Sequence, residues 1–149
     1  MIAAVIVVGA LAGLGLYLAT VIFVLFVRRL PAFARHVEAL YDQRGGLPLP
    51  LALVLASGIA ATGEEVFWRG LFQPTRGALL TWAVYVAANA PSRSLPIFAA
   101  AAVGGAVWGA LAVWTGGVLA SVLCHAVWTG LMLAAPPPGA ANPVAREAA

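Results

Sequence analysis

Apolar residues run almost unbroken from Ile2 to Val27 and stop at Arg28-Arg29. No basic stretch precedes the run, and it is longer than a signal-peptide core. It therefore predicts a first membrane-spanning helix rather than a cleaved leader. Gly9 and Gly13 inside it form a G-x-x-x-G pair, a spacing that lets a second helix pack closely. From 28 to 46 the pattern changes. Arg28, Arg29, Arg35, His36, Glu38, Asp42 and Arg44 are interleaved with Phe33, Val37, Leu40 and Tyr41 at steps of three and four. That period predicts a short amphipathic helix on the membrane surface. Gly45-Gly46, Pro48 and Pro50 break the chain, and a second apolar segment runs from Leu51 to about Phe72. Gln73-Pro74-Thr75-Arg76-Gly77 reads as a turn. A third span covers about 78–90, short for a bilayer and so tilted or partly re-entrant. A fourth covers about 95–114, and a fifth runs from about 117 to 134 after a tight turn at Thr115-Gly116-Gly117. The Pro/Ala-rich tail, 136–149, is expected to be disordered. The pattern predicts one all-α domain over 1–135, a polytopic helical bundle of about five transmembrane helices plus one interfacial helix.

Composition supports this. Hydrophobic residues make up 63% and charged residues 9%, against about 25% charged in a soluble domain. The eight basic residues are all arginine and the net charge is +3, too little and too scattered for a nucleic-acid surface. Cys124 is the single cysteine, which excludes an internal disulfide and a cysteine-based zinc site. With five spans, Arg28, Arg29, Arg35, Arg44, Arg93 and Arg146 share one side of the membrane and Arg76 lies on the other. The positive-inside rule makes the first side cytoplasmic and puts the N-terminus outside. The lysine-free, alanine- and arginine-rich composition is compatible with a GC-rich bacterial genome, and so with a bacterial inner membrane.

The charges that do enter the apolar segments stand together. Glu64, Glu65 and Arg69 lie within two turns of one span. Each charge near a bilayer centre costs about 2.5–3.5 kcal/mol on insertion scales. Glu65 and Arg69 are spaced i,i+4 with the acid first, the favourable order for an ion pair on one helix. Glu64 then points about 100° away, free to face something else. Two other spans carry polar pairs at the same spacing, Tyr85 with Asn89 and His125 with Thr129. Counted from the outer edge, that is from the turns near Pro74, Ala78 and Gly117, at about 1.5 Å per residue, Glu64, Asn89 and His125 all lie roughly 12–17 Å deep. A carboxylate withdrawn from bulk water can take a proton from a water molecule near neutral pH. A histidine or amide donor aimed at a carbonyl can stabilise the oxyanion of a tetrahedral intermediate. The set suits peptide hydrolysis by activated water. The alternative reading has the charges only pinning helices together. Cys124 points about 100° from His125 and so forms no dyad with it, while Gly105 and Gly109 repeat the G-x-x-x-G spacing of close helix contact.

These residues also form a known pattern. Gly63-Glu64-Glu65-Val66-Phe67-Trp68-Arg69-Gly70 resembles the E-E-x-x-x-R signature of the CPBP family, also called Abi, the CAAX-protease and bacteriocin-processing intramembrane peptidases. The stretch from Gly105 to Thr129 is similar to the last two helices of that family, and the resemblance covers about 50–133. It implies that Glu64 is the general base that activates water, that Glu65 and Arg69 shape and orient the site, and that His125 donates to the oxyanion with Thr129 beside it. The middle motif of the family is F-x-x-x-H. Its best match here is Tyr85-Val86-Ala87-Ala88-Asn89, with asparagine in place of histidine, and Thr129 stands where the family has Asn or Asp. Asn89 can donate and accept hydrogen bonds but cannot carry a proton.

Members are often labelled metalloproteases, but zinc wants three protein ligands plus water, and only Glu64, Glu65 and His125 are available. The expected mechanism is a metal-free glutamate mechanism with no cofactor. The short chain is similar to small bacterial members, among them the myxosortase-like enzymes that trim C-terminal sorting tags. The resemblance implies an intramembrane endopeptidase acting on a membrane-anchored or lipid-modified protein or peptide, with the lipid bilayer and no nucleic acid as partner. The alternative is a catalytically inactive relative that binds transmembrane segments in the same groove, as a chaperone or immunity factor.

Overall fold

The structure, a computed structural model, describes residues 2–42 and 46–138. Arg44 and Gly45, and the tail beyond 138 with Arg146, lie outside the described residues. Every regular element among those described is helical: α1 (Ile2–Val27), α2 (Pro31–Asp42), α3 (Leu49–Arg76), α4 (Ala78–Asn89), α5 (Leu95–Thr115) and α6 (Leu119–Ala134). Helices α1, α3 and α5 are long and apolar enough to cross a membrane, and α6 is a shorter apolar helix. With 12 residues, α4 rises only about 18 Å, well under the roughly 30 Å of a hydrocarbon core. It ends in a 3-10 turn at Ala90–Ser92, after which Arg93 takes a left-handed conformation (φ 51°) and reverses the chain.

Side chains are distributed as in a protein solvated by lipid. Leu79, Phe26 and Trp114 are more than 70% exposed on the outer face of the bundle. Glu65, Arg69, Gln73, Thr81, Ser121 and His125 are buried inside it, around a core that includes Trp108, Ala120 and Cys124. This integral membrane bundle is therefore apolar outside and polar at its centre. Helix α1 lies along α6, and Gly9 and Gly13 make the contact possible. A Cβ on Gly9 would sit 2.7 Å from the Ala120 carbonyl oxygen, and one on Gly13 would sit 2.7 Å from that of Cys124. The chain packs α6 against glycine backbone because any side chain there would hold the helices apart.

The turn expected at Gln73–Gly77 is only partly a turn. The helix continues through Arg76, with the Gly77 N–H bonded to the Gln73 carbonyl, and the break falls on Gly77 (φ 84°). Pro74 is tolerated because it follows a π-helical turn, Val66–Phe72, where the hydrogen-bond register has already shifted. A second π-helical turn, Val54–Ala60, lies upstream, so Ala61–Glu65 is a short α-helical stretch between two widened turns. The Thr115-Gly116-Gly117 turn forms as expected: Gly116 is left-handed (φ 68°), and the Gly117 N–H returns to the Ala112 carbonyl. The amphipathic helix α2 turns Phe33 and Val37 toward the bundle. Phe33 meets Phe23 of α1 edge to face at 5.6 Å.

Candidate active site

One stripe of α3 carries Glu65, Arg69 and Gln73 at successive i,i+4 positions, all buried. Arg69 donates from Nη1 to Glu65 Oε1 at 3.1 Å, so the ion pair expected within this helix is formed. Its Nη2 reaches across to the Gly105 carbonyl at 3.0 Å, and Gln73 Nε2 reaches the Gly109 carbonyl at 3.0 Å. Gly105 and Gly109 are thus places where two polar side chains of α3 meet the backbone of α5. A Cβ at 105 would lie 2.8 Å from Tyr85 and 3.4 Å from Arg69 Nη2, and one at 109 would lie 3.2 Å from Gln73 Oε1. The close helix contact expected at this pair is present, and it is made by side chains of α3 and α4 that a methyl group on either glycine would crowd.

Helix α6 joins the same point. His125 Nδ1 lies 3.0 Å from Glu65 Oε1. An ionised carboxylate can only accept, so Nδ1 carries the hydrogen of that bond and Nε2 is the nitrogen left unengaged by Glu65. The ring is stacked on Trp108, with centroids 3.7 Å apart and planes 13° from parallel. Trp108 can lie along α5 because Gly104 has no side chain to meet its indole. Glu65 is fully buried, and with Arg69 and His125 it ties α3, α5 and α6 at one level.

Glu64, one residue earlier, points the other way. It is exposed toward a cavity of about 340 Å³ that is also lined by Tyr85, Asn89, Trp108 and His125. Its Oε2 accepts a hydrogen bond from the Tyr85 hydroxyl at 3.0 Å. Away from this polar end the cavity is walled by apolar residues of α1 and α5 and closed over by Phe33 and Val37 of α2. The roughly 100° step between neighbours on a helix therefore gives the two glutamates opposite surroundings: Glu65 is locked in an ion pair, and Glu64 faces open space.

The residues singled out in the sequence are only partly brought together. Glu64, Asn89 and His125 line one cavity, and Glu65 and Arg69 stand behind it. The Asn89 amide donates back to the Tyr85 carbonyl of its own helix at 2.9 Å. Thr129 is not among the cavity-lining residues, and among the described residues no hydrogen bond ties it to the glutamates. Two residues of the site have a place other than the one read in the sequence: Tyr85, paired there with Asn89, is the partner of Glu64, and Gln73 is buried rather than in a turn. Trp108, which the sequence did not single out, supports His125. Gln73 carried a usable signal, since it continues the i,i+4 stripe of Glu65 and Arg69. Among the described residues no three His, Cys, Asp or Glu side chains gather as ligands around one point.

The sequence profile of the Rce1-like family, described as type II CAAX prenyl endopeptidase Rce1-like, matches residues 46–131, more than half of the chain. No curated protein and no solved structure gives a match.

Proposed function

The chain belongs to the Rce1-like family of type II CAAX prenyl endopeptidases, and on that premise we propose that it hydrolyses a peptide bond of a membrane-anchored or lipid-modified protein with water activated by Glu64. The observation that carries this reading is the contrast between the two glutamates. Glu65 is held by Arg69 and His125, while Glu64 is the carboxylate turned into the cavity.

In the reaction, water gives a proton to Glu64 as its oxygen bonds to the scissile carbonyl carbon. His125 turns Nε2 to the oxyanion as its hydrogen-bond donor, while Glu65 Oε1, shared with Arg69, holds Nδ1. The carbon–nitrogen bond then breaks, and the proton held by Glu64 passes to the departing amine. Glu65 and Arg69 act by fixing the His125 ring, and the stack on Trp108 fixes its plane. No step is routed through a metal. Zinc needs about three protein ligands, and among the described residues no three His, Cys, Asp or Glu side chains are grouped to supply them, Glu65 Oε1 being shared by Arg69 and His125.

The apolar walls beyond Glu64 suit the hydrocarbon anchor of a substrate or the apolar residues beside its scissile bond. By charge bias, the end of the bundle with Arg28, Arg29 and Arg93 is cytoplasmic and the N-terminus lies on the far face of a bacterial inner membrane. A C-terminal sorting tag is one substrate of the right kind.

The test is co-expression with candidate membrane-anchored proteins from the same genome, comparing the wild type with Glu64→Gln. Mass spectrometry would look for a new terminus near a membrane segment. Cleavage in the wild type and none in a folded Glu64→Gln variant is expected. Undiminished cleavage by that variant would remove Glu64 as the base, and binding without cleavage by the wild type would point to a non-catalytic chain.

A further inference from the structure

The family motif that pairs an aromatic residue with a histidine is met here by Tyr85 and Asn89, and the two side chains have different partners. The Asn89 amide is bonded to the Tyr85 carbonyl one turn back. The group that reaches Glu64 is instead the hydroxyl of Tyr85, 3.0 Å from Oε2. It is the one side-chain hydrogen-bond partner of Glu64 among the described residues.

The placement of Tyr85 is fixed from several sides. The residue is only 5% exposed. The Arg69 guanidinium lies 4.6 Å above the ring centroid, and Trp68 and Trp108 meet its edges at 5.5 and 6.2 Å. The absence of a side chain at Gly105 makes room for the ring, since a Cβ there would stand 2.8 Å from Cδ1. A phenol held this way donates in a fixed direction. Simple packing would need only the ring, and phenylalanine supplies that.

We propose that the Tyr85 hydroxyl is the positioning group of the reaction, holding Glu64 Oε2 so that Oε1 faces the attacking water. The inference rests on the reading of Glu64 as the base. Water transfers its proton to Oε1 while its oxygen forms the bond to carbonyl carbon. When the carbon–nitrogen bond breaks, the proton moves from Oε1 to the amine. Tyr85 keeps its own proton throughout and donates to the carboxylate before proton transfer and to the carboxylic acid after it. A carboxylate free to rotate would present either oxygen and lose the aligned geometry on which such a step depends.

Tyr85→Phe keeps the ring and removes only the hydroxyl. Two measurements on the purified full-length protein test the idea. The first needs no substrate. Infrared difference spectroscopy assigns the Glu64 carboxylate band by its loss in Glu64→Gln, and that band is expected to move in Tyr85→Phe. The second uses the substrate cleaved in co-expression. Tyr85→Phe is expected to lower kcat about 10- to 100-fold, the loss of one hydrogen bond to a charged group, with KM within about threefold. An unmoved band, a wild-type kcat, or a larger loss in Asn89→Ala than in Tyr85→Phe overturns the proposal. Cleavage by Glu64→Gln at the wild-type rate overturns the reading of Glu64 itself, and the two failures are separable.

Discussion

Replacing Arg69 with methionine should be among the most destabilising single changes in this chain. The guanidinium is 3% exposed and holds a carboxylate that is fully buried. Unit charges 3.1 Å apart attract by about 5 kcal/mol at an effective dielectric near 20, and desolvation offsets part of this. Removing one partner leaves the other charge buried, which typically costs about 3–5 kcal/mol. In Arg69→Met, Glu65 keeps only the bond from His125 and the Gly105 carbonyl loses its donor. The expected loss is about 3–5 kcal/mol by detergent titration, or a Tm lower by on the order of 10 °C in micelles. The double variant Glu65→Leu/Arg69→Met removes both charges. It loses the His125 and Gly105 hydrogen bonds at about 1 kcal/mol each but buries no lone ion, so it should fall only about 2 kcal/mol below the wild type. An Arg69→Met protein within about 1 kcal/mol of the wild type, or a double variant no better than the single one, would refute the claim that this pair supports the bundle.

Two further outcomes follow from contacts elsewhere. Gly13→Val pushes a side chain against the Cys124 carbonyl and Val127 and should cost about 1–3 kcal/mol. Gly15→Val, with nothing within 4 Å of its Cβ, should stay within about 0.5 kcal/mol, and paired thermal melts compare the two. Gln73→Leu removes the side-chain hydrogen bond to the Gly109 carbonyl, which keeps its helical bond within α5. It should lower stability by about 0.5–1.5 kcal/mol and leave the cleavage rate within about threefold, read by the same melts alongside the co-expression assay.

Local rules carried most of the fold. The limits of α1 and α5 follow from uninterrupted apolar runs bounded by Arg28 and by Pro91–Ser94 and Gly116. The Glu65–Arg69 pair and the outward turn of Glu64 follow from helix geometry alone. What stayed hidden depends on departures from that geometry or on contacts between helices. The π-helical turn at Val66–Phe72, which carries the helix on past Pro74, has no mark in the sequence pattern, although the i,i+4 stripe of Glu65 and Arg69 does reach Gln73. The choice of Tyr85 over Asn89 as the partner of Glu64 is settled across helices, by where α4 passes α3. The stacking of Trp108 on His125 depends on Gly104 being small, a relation between side chains that spacing does not encode.

The ion pair also bears on how such a chain is made. Ribosomes deliver helices to the membrane in order, and α3 is complete about fifty residues before His125 is synthesised. During that interval the future interior of the protein faces lipid. Because Arg69 and Glu65 sit one turn apart on the same helix, each neutralises the other without waiting for α5 or α6. Had the cation been placed on α6 instead, α3 would have to cross the translocon with two uncompensated carboxylates, at about 2.5–3.5 kcal/mol each. Putting both partners in one segment makes the segment deliverable as a unit, and the bonds to Gly105 and His125 are added later, as those helices arrive.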